Sequence, residues 1–415
     1  MATIDASAIG WQAIGKKGVV AAGGAAAVAA GIEILTDDGN AADAAAATIL
    51  ALNVTDHGAC SIGGEVPVLI YDAKTGAVKS LSGQGSAPLD QAAIDWYMAN
   101  GIPDKNIKMA PVPSVVDLCI TLLQRYGTKR FTEIVAPTLA ILDAGDKPWH
   151  PDLAVTLRRM VDEEARTNGT REERLQAACD RFYGRHPERN DIAEELEAFY
   201  IEQGGFLRRA DLAAHKTLIE EPVSVNYRGY TVYKCGPWTQ GPFLCQALRL
   251  LEGFDLPAMG HFSADYVHVL TEALKLAMAD RDSITPTPTL SILPLDKLLS
   301  DAYTELRRPL IDMQQASPRR GRAIPMPCRR SSRLGPSNRQ HHYLCNRRPL
   351  GNVVSATPSG ANVYHDGGSG TTGVSYGNRL RSLSTNPRPS PVIQPGKRPR
   401  ITLTPAWCSR AANRC

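Results

Sequence analysis

Acidic residues all but vanish from this 415-residue chain after position 312. Residues 1–312 hold 41 Asp/Glu against 29 Lys/Arg, whereas residues 313–415 hold 17 Lys/Arg and one acid, Asp366. A break of this kind means a basic tail, an appended segment, or text that was never selected as protein. The chain as a whole is 43% apolar and 21% charged, which excludes a wholly disordered or fibrous protein. Nine cysteines without regular spacing give no disulfide framework and suit a reducing compartment. Lys16 and Lys17 lead into an Ala/Gly run rather than a leucine-rich signal core, and the apolar residues 19–35 include Glu33. The expectation is a soluble cytoplasmic protein with no membrane partner.

The first 312 residues read as a mixed α/β (α+β) domain. Residues 19–35 and 40–53 predict two helices of small residues packed closely, separated by a stop-and-restart signal at Asp37, Asp38 and Gly39. Residues 66–72 and 77–81 flank a turn and predict a β-hairpin; residues 222–227 and 230–235 predict a second, turning at Arg228 and Gly229. Helical periodicity marks 113–126, 132–144, 240–252, 264–281 and 294–311, and the charge-dense stretch 152–203 reads as exposed helices.

Residues 314–350 are different, with nine arginines, five prolines, no acid and no helix or strand periodicity. From Gly351 a strand pattern returns, and order is expected to fade after Pro405. The resulting divisions are 1–313, 314–350, 351–405 and 406–415. Cys328, His341, His342 and Cys345 match no standard zinc spacing, so no metal or other cofactor is expected. The basic segment lacks aromatic interleaving and a recognisable module, so no specific nucleic-acid partner is expected. His57 reads as a packing histidine, and the Gly367–Gly373 loop lacks the residues that would make it a phosphate cradle.

Several blocks together resemble the gamma-glutamyltranspeptidase (glutathione hydrolase) family of N-terminal-nucleophile hydrolases. They are residues 38–53, 61–64, 69–76, 112–116, 125–127, 227–230 and 272–281, in the order and spacing of the family's large subunit. The resemblance implies an αββα four-layer sandwich, here incomplete at its C-terminal end. It also implies a precursor that cuts itself into large and small subunits before a threonine. That threonine then acts on a small-molecule amide as nucleophile, its own α-amine serving as base.

The family's nucleophile stands ten residues before a Gly-Asn turn. The turn here is Gly351 and Asn352, which puts His341 at the nucleophile position. Imidazole cannot carry out the N-to-O acyl shift that cleaves the precursor. The resemblance also assigns Ser359 to the hydroxyl touching the nucleophile's amine. It puts Gln84 where glutamyl-specific members carry a carboxylate-clamping Arg, Arg381 and Ser382 where they carry an acidic pair, and Ile401 and Thr402 at the oxyanion serine pair.

Read one nucleotide out of frame, any codons for positions 341–343 give Thr or Ile at each, and positions 345–347 can give Val-Thr-Asp, the family's continuation. Residues from about 314 to 350 therefore read as a frame-shifted translation that returns to frame at Gly351, with a second slip near 406. Two classes of function follow. One is an amide hydrolase or acyl transferase of this family, with a lean toward its non-glutamyl acylases. The other is an inactive homologue or damaged-gene product that does not self-cleave.

Overall fold

A computed structural model describes residues 14–16, 18–281, 295–317, 344–347, 351–360, 370–386 and 392–410. The chain opens on β1 (Val19–Ala21) and α1 (Ala25–Thr36), so the first predicted helix begins six residues later than its apolar run. Next comes α2 (Ala41–Thr55), whose capping box is closed by Asn40 and Asp43. The two helices approach as closely as their small side chains predict: a Cβ on Gly31 would lie 2.2 Å from Thr48 Oγ1.

The hairpin β2 (Val66–Asp72) and β3 (Ala77–Gly83) follows as expected. After α3 (Gln91–Asn100) come α4 (Val115–Tyr126), α5 (Phe131–Ala144), α6 (His150–Arg166), α7 (Arg171–Tyr183), α8 (Asp191–Glu202) and α9 (Arg209–Ala214). The charged helices α6, α7 and α8 are not simply exposed. Leu157, Met160, Leu175, Phe182, Leu196 and Tyr200 bury one face of each in the main core, and most charges lie on the other face, although Glu163, Glu164 and Arg181 are buried too.

β4 (Leu218–Glu220) pairs with β3, and β5 (Val223–Tyr227) turns into β6 (Tyr230–Lys234). Arg228 (φ 50°) and Gly229 (φ 83°) supply the two positive angles that a tight hairpin turn needs. α10 (Gly241–Leu251), α11 (Leu256–Met259) and α12 (Ala264–Arg281) come next. The last predicted helix is two, α13 (Leu295–Leu298) and α14 (Asp301–Arg307), because Ser300 caps a fresh start by accepting from Tyr303 N at 3.2 Å.

Three strands complete the sheets: β7 (Leu344–Arg347), β8 (Val353–Ala356) and β9 (Ala406–Arg410). β8 was legible in the sequence. β7 and β9 fall where no strand pattern was read, and both are held by main-chain ladders to β1, β8 and β6 that do not depend on side-chain type. Order therefore continues past Pro405.

One sheet runs β1-β7-β8-β2-β3-β4 and the other β5-β6-β9. Val68, Ile70, Leu81, Val354 and Ala356 turn one face of the large sheet onto Ile49 of α2 and Leu118 and Leu122 of α4. Leu69, Tyr71 and Val78 turn the other face onto Tyr233, Cys235, Trp238 and Trp407 of the small sheet's side. Val223, Val225 and Val232 pack beneath Cys245 of α10, and Leu250 and Leu251 of α10 meet Val269, Ala273 and Leu276 of α12. The layers are helix, sheet, sheet, helix.

Candidate active site

Strand alternation divides the inner face of the large sheet into an apolar half and a polar half. Leu69, Tyr71 and Val78 seal the apolar half against the second sheet. Further along the same face come Ser80 and Ser82 of β3, Ser355 of β8, then Thr357, Ser359 and Glu65 just beyond the strands. Glu65 and Ser359 exchange both main-chain bonds at 2.9 Å. Val66 pairs with Gly83, and continuing that register by one residue sets Gln84 opposite Glu65. One polar patch between the sheets thus draws on three separate stretches of chain.

The backbone there is packed too closely for side chains. A Cβ on Gly63 would lie 1.9 Å from Ser375 O, and one on Gly64 would lie 2.1 Å from Ser359 O. Gly377 N donates to Gly63 O at 3.2 Å, Ser61 Oγ to Gly360 O at 2.6 Å, and Ser114 Oγ to Gly64 O at 2.6 Å. Small residues in the 61–64 block are needed because residues 359–360 and 375–377 cross directly over them.

A buried ion pair anchors this crossing. Arg379 Nε donates to Glu65 Oε1 at 2.6 Å, and Arg379 Nη2 also reaches Glu65 Oε1 and, at 3.4 Å, Ser359 Oγ. Glu65 is 0% and Arg379 5% exposed. Glu65 Oε2 has no hydrogen-bond partner among the described residues, and neither does Gln84 Oε1 or Nε2. Gln84 is only 1% exposed. Each buried polar atom left open in this way calls for an explanation, and Gln84 has both of its amide atoms open.

Of the residues singled out from the sequence, Gln84 and Ser359 are brought to this patch. Arg381 is exposed and Ser382 half-buried on the 3₁₀ turn Arg379–Ser382, while Arg379 of the same turn faces inward. Ile401 is buried with its N–H on Trp238 O at 2.9 Å, and Thr402 is exposed. No described hydrogen bond joins this pair to Ser359 or Gln84. His341, His342 and Cys328 lie outside the described residues, as do residues 367–369 of the glycine loop at 367–373. β7 begins at Leu344, paired with Ala356, three residues before Ser359. His57 is half-buried with its ring 5.4 Å from that of Trp149, a packing position. Sequence reasoning missed Glu65 and Arg379. For Glu65 the available signal was a lone acid directly after Gly63 and Gly64; for Arg379, beside Arg381 on the same turn, there was none.

Two sheets packed between helical layers, with a polar patch on the inner face, define the N-terminal-nucleophile hydrolase class. The chain belongs to the gamma-glutamyltranspeptidase family, whose model matches residues 27–159 and 140–414. It is 28% identical over 437 residues to the acylase ACY 1 proenzyme of Pseudomonas sp. (strain SE83), covering 95% of this chain and 74% of that one. Against the glutathione hydrolase proenzyme of Escherichia coli (strain K12) it is 27% identical over 451 residues, covering 94% and 72%. The crystal structure of cephalosporin acylase from Bacillus halodurans superposes with a TM-score of 0.77 at 26% identity, covering 95% and 75%. These relatives are amide hydrolases and acyl transferases at the level of the family. No helix among the described residues is long and apolar enough to cross a membrane.

Proposed function

We propose that the patch between the sheets is the acyl-binding end of an amide hydrolase or acyl transferase site of the non-glutamyl, acylase type. The observation that carries this reading is Gln84, which is buried, uncharged and unpartnered at the position the resemblance gives to a carboxylate-clamping arginine. The match to acylases as well as to glutathione hydrolases points the same way.

A second reading rests on His341 alone. With no hydroxyl or thiol at the nucleophile position, the chain as encoded neither cleaves itself nor forms an acyl-enzyme, and residues 314–350 are the product of a slipped reading frame.

One experiment tests both. The frame is restored across 314–350 and beyond 405, returning Thr at position 341. Then kcat/KM is compared for a gamma-glutamyl anilide and a simple acyl anilide, with and without Gln84→Arg. The repaired enzyme is expected to prefer the simple acyl anilide, and Gln84→Arg to raise glutamyl turnover roughly ten- to a hundredfold through a charge-assisted bidentate contact. Strong glutamyl preference with Gln84 intact overturns the acylase reading. Activity of the unrepaired chain overturns the second.

A further inference from the structure

Continuing the β2–β3 register by one residue sets Glu65 opposite Gln84, and three of their side-chain atoms have no partner among the described residues: an anionic acceptor, Glu65 Oε2, a neutral acceptor, Gln84 Oε1, and a neutral donor, Gln84 Nε2. Nearby Thr357, also on the inner face, has a buried hydroxyl with no partner among the described residues. The Glu65 charge is already balanced by Arg379, so the patch carries little net charge. Arg398, which bonds to Ser82 of β3, is committed to protein oxygens. Its Nη1 donates to Ser82 O at 3.3 Å and Ser82 Oγ at 3.2 Å, and its Nη2 to Lys216 O.

Each class of ligand group can be matched to these atoms. A carboxylate accepts from Gln84 Nε2 but leaves Glu65 Oε2 and Gln84 Oε1 without a donor and adds charge repulsion. An ammonium serves both acceptors and leaves Gln84 Nε2 open. A primary carboxamide satisfies all three. Its carbonyl accepts from Gln84 Nε2, one N–H donates to Gln84 Oε1 in the reciprocal pair that two amides form, and its second N–H donates to Glu65 Oε2.

We infer that Gln84 and Glu65 form a carboxamide subsite, so that the acyl group this protein takes ends in a neutral primary amide. The inference rests on the proposal that the patch is the acyl-binding end of the site. It deepens that proposal by naming the group recognised.

The test is binding rather than turnover, on the full 415-residue chain as encoded, so that a failure of catalysis leaves its result untouched. Glutaramide, glutarate and L-glutamate are titrated separately by calorimetry. Glutaramide is expected to bind at least about tenfold more tightly than either acid, because a site built to hydrogen-bond a group discriminates against analogues that leave its buried atoms unpaired. Gln84→Met keeps the length of the side chain and removes both amide atoms. It should abolish the preference for glutaramide while leaving the melting temperature equal or higher, since two unpaired buried polar atoms are gone. Equal or tighter binding of glutarate overturns the inference, as does glutaramide affinity that survives Gln84→Met. If none of the three binds, the open atoms are only hydrated and the subsite does not exist. Should Gln84→Met fail to fold, Gln84→Leu, which leaves the Glu65–Arg379 pair intact, is read for the same loss of preference.

Discussion

At the scale of single residues, burial governs the ion pair of the site and the ring of His215. Glu65 and Arg379 are both almost completely enclosed, so removing one charge leaves the other without compensation. Glu65→Gln should cost about 3–5 kcal/mol, read as a shift in urea midpoint. The double change Glu65→Gln with Arg379→Met should recover much of that loss, because it removes the stranded charge as well. A single variant as stable as the parent would show the pair to be slack.

His215 is the neutral ring. It is buried against Tyr183, with ring centroids 5.5 Å apart, and neither nitrogen has a partner among the described residues. Burial pushes its pKa down to about 4, with Arg398 and Arg185 adding to the depression and Asp117 opposing it. An unfolded imidazole takes up its proton near 6.5, so below that value the unfolded chain holds the extra proton and gains. This contribution to stability is therefore complete above pH 6.5 and is lost as pH falls from 6.5 to 4. His215→Phe should flatten the dependence of the urea midpoint on pH in that window. An unchanged slope would mean that the ring is protonated in the fold.

At the scale of elements, the most recognisable stretch of sequence proves to be a clasp. Asp43, in the 38–53 block, accepts from Asn40 N at 2.9 Å, Thr128 N at 2.9 Å, Thr128 Oγ1 at 2.8 Å and Lys129 N at 3.1 Å. Asn40 Nδ2 donates to Tyr126 O at 2.7 Å, and a Cβ on Gly127 would lie 2.5 Å from Asp43 Oδ1. Two blocks that looked independent, 38–53 and 125–127, thus hold the start of α2 to the end of α4. Asp43→Asn exchanges charge-assisted bonds for neutral ones and turns an amide nitrogen toward backbone donors. It should destabilise by about 2–3 kcal/mol, measured by thermal melt with the site chemistry unaltered.

The same scale shows what was legible and why. The hairpins and α2, α4, α5, α10 and α12 could be read because their own side chains alternate or repeat at the period of the element. β4, β7 and β9 could not, because none shows an alternating pattern of its own and each is fixed by main-chain bonds to a neighbour far off in sequence. At the site, Gln84 and Ser359 were found through family spacing. Glu65 and Arg379, 314 residues apart, become partners only once the chain has folded.

At the scale of the whole molecule, the issue is whether one chain or two results. With His341 at the nucleophile position, the purified protein should run on a denaturing gel as one species near 44.8 kDa. Fragments of about 340 and 75 residues, the smaller beginning at His341, would overturn that expectation.

The strand order has a consequence for how such a chain is made. β7 and β8 lie between β1 and β2, so two inner strands of the large sheet come from residues 344–356 while the strands either side of them come from residues 19–21, 66–83 and 218–220. A ribosome releases those flanks long before it reaches the strands that join them. Through most of translation β1 has no neighbour and β2 keeps one open edge, the arrangement that invites pairing with the wrong chain. Yield in the cell should therefore depend on how well that edge is shielded until the last fifth of the polypeptide arrives.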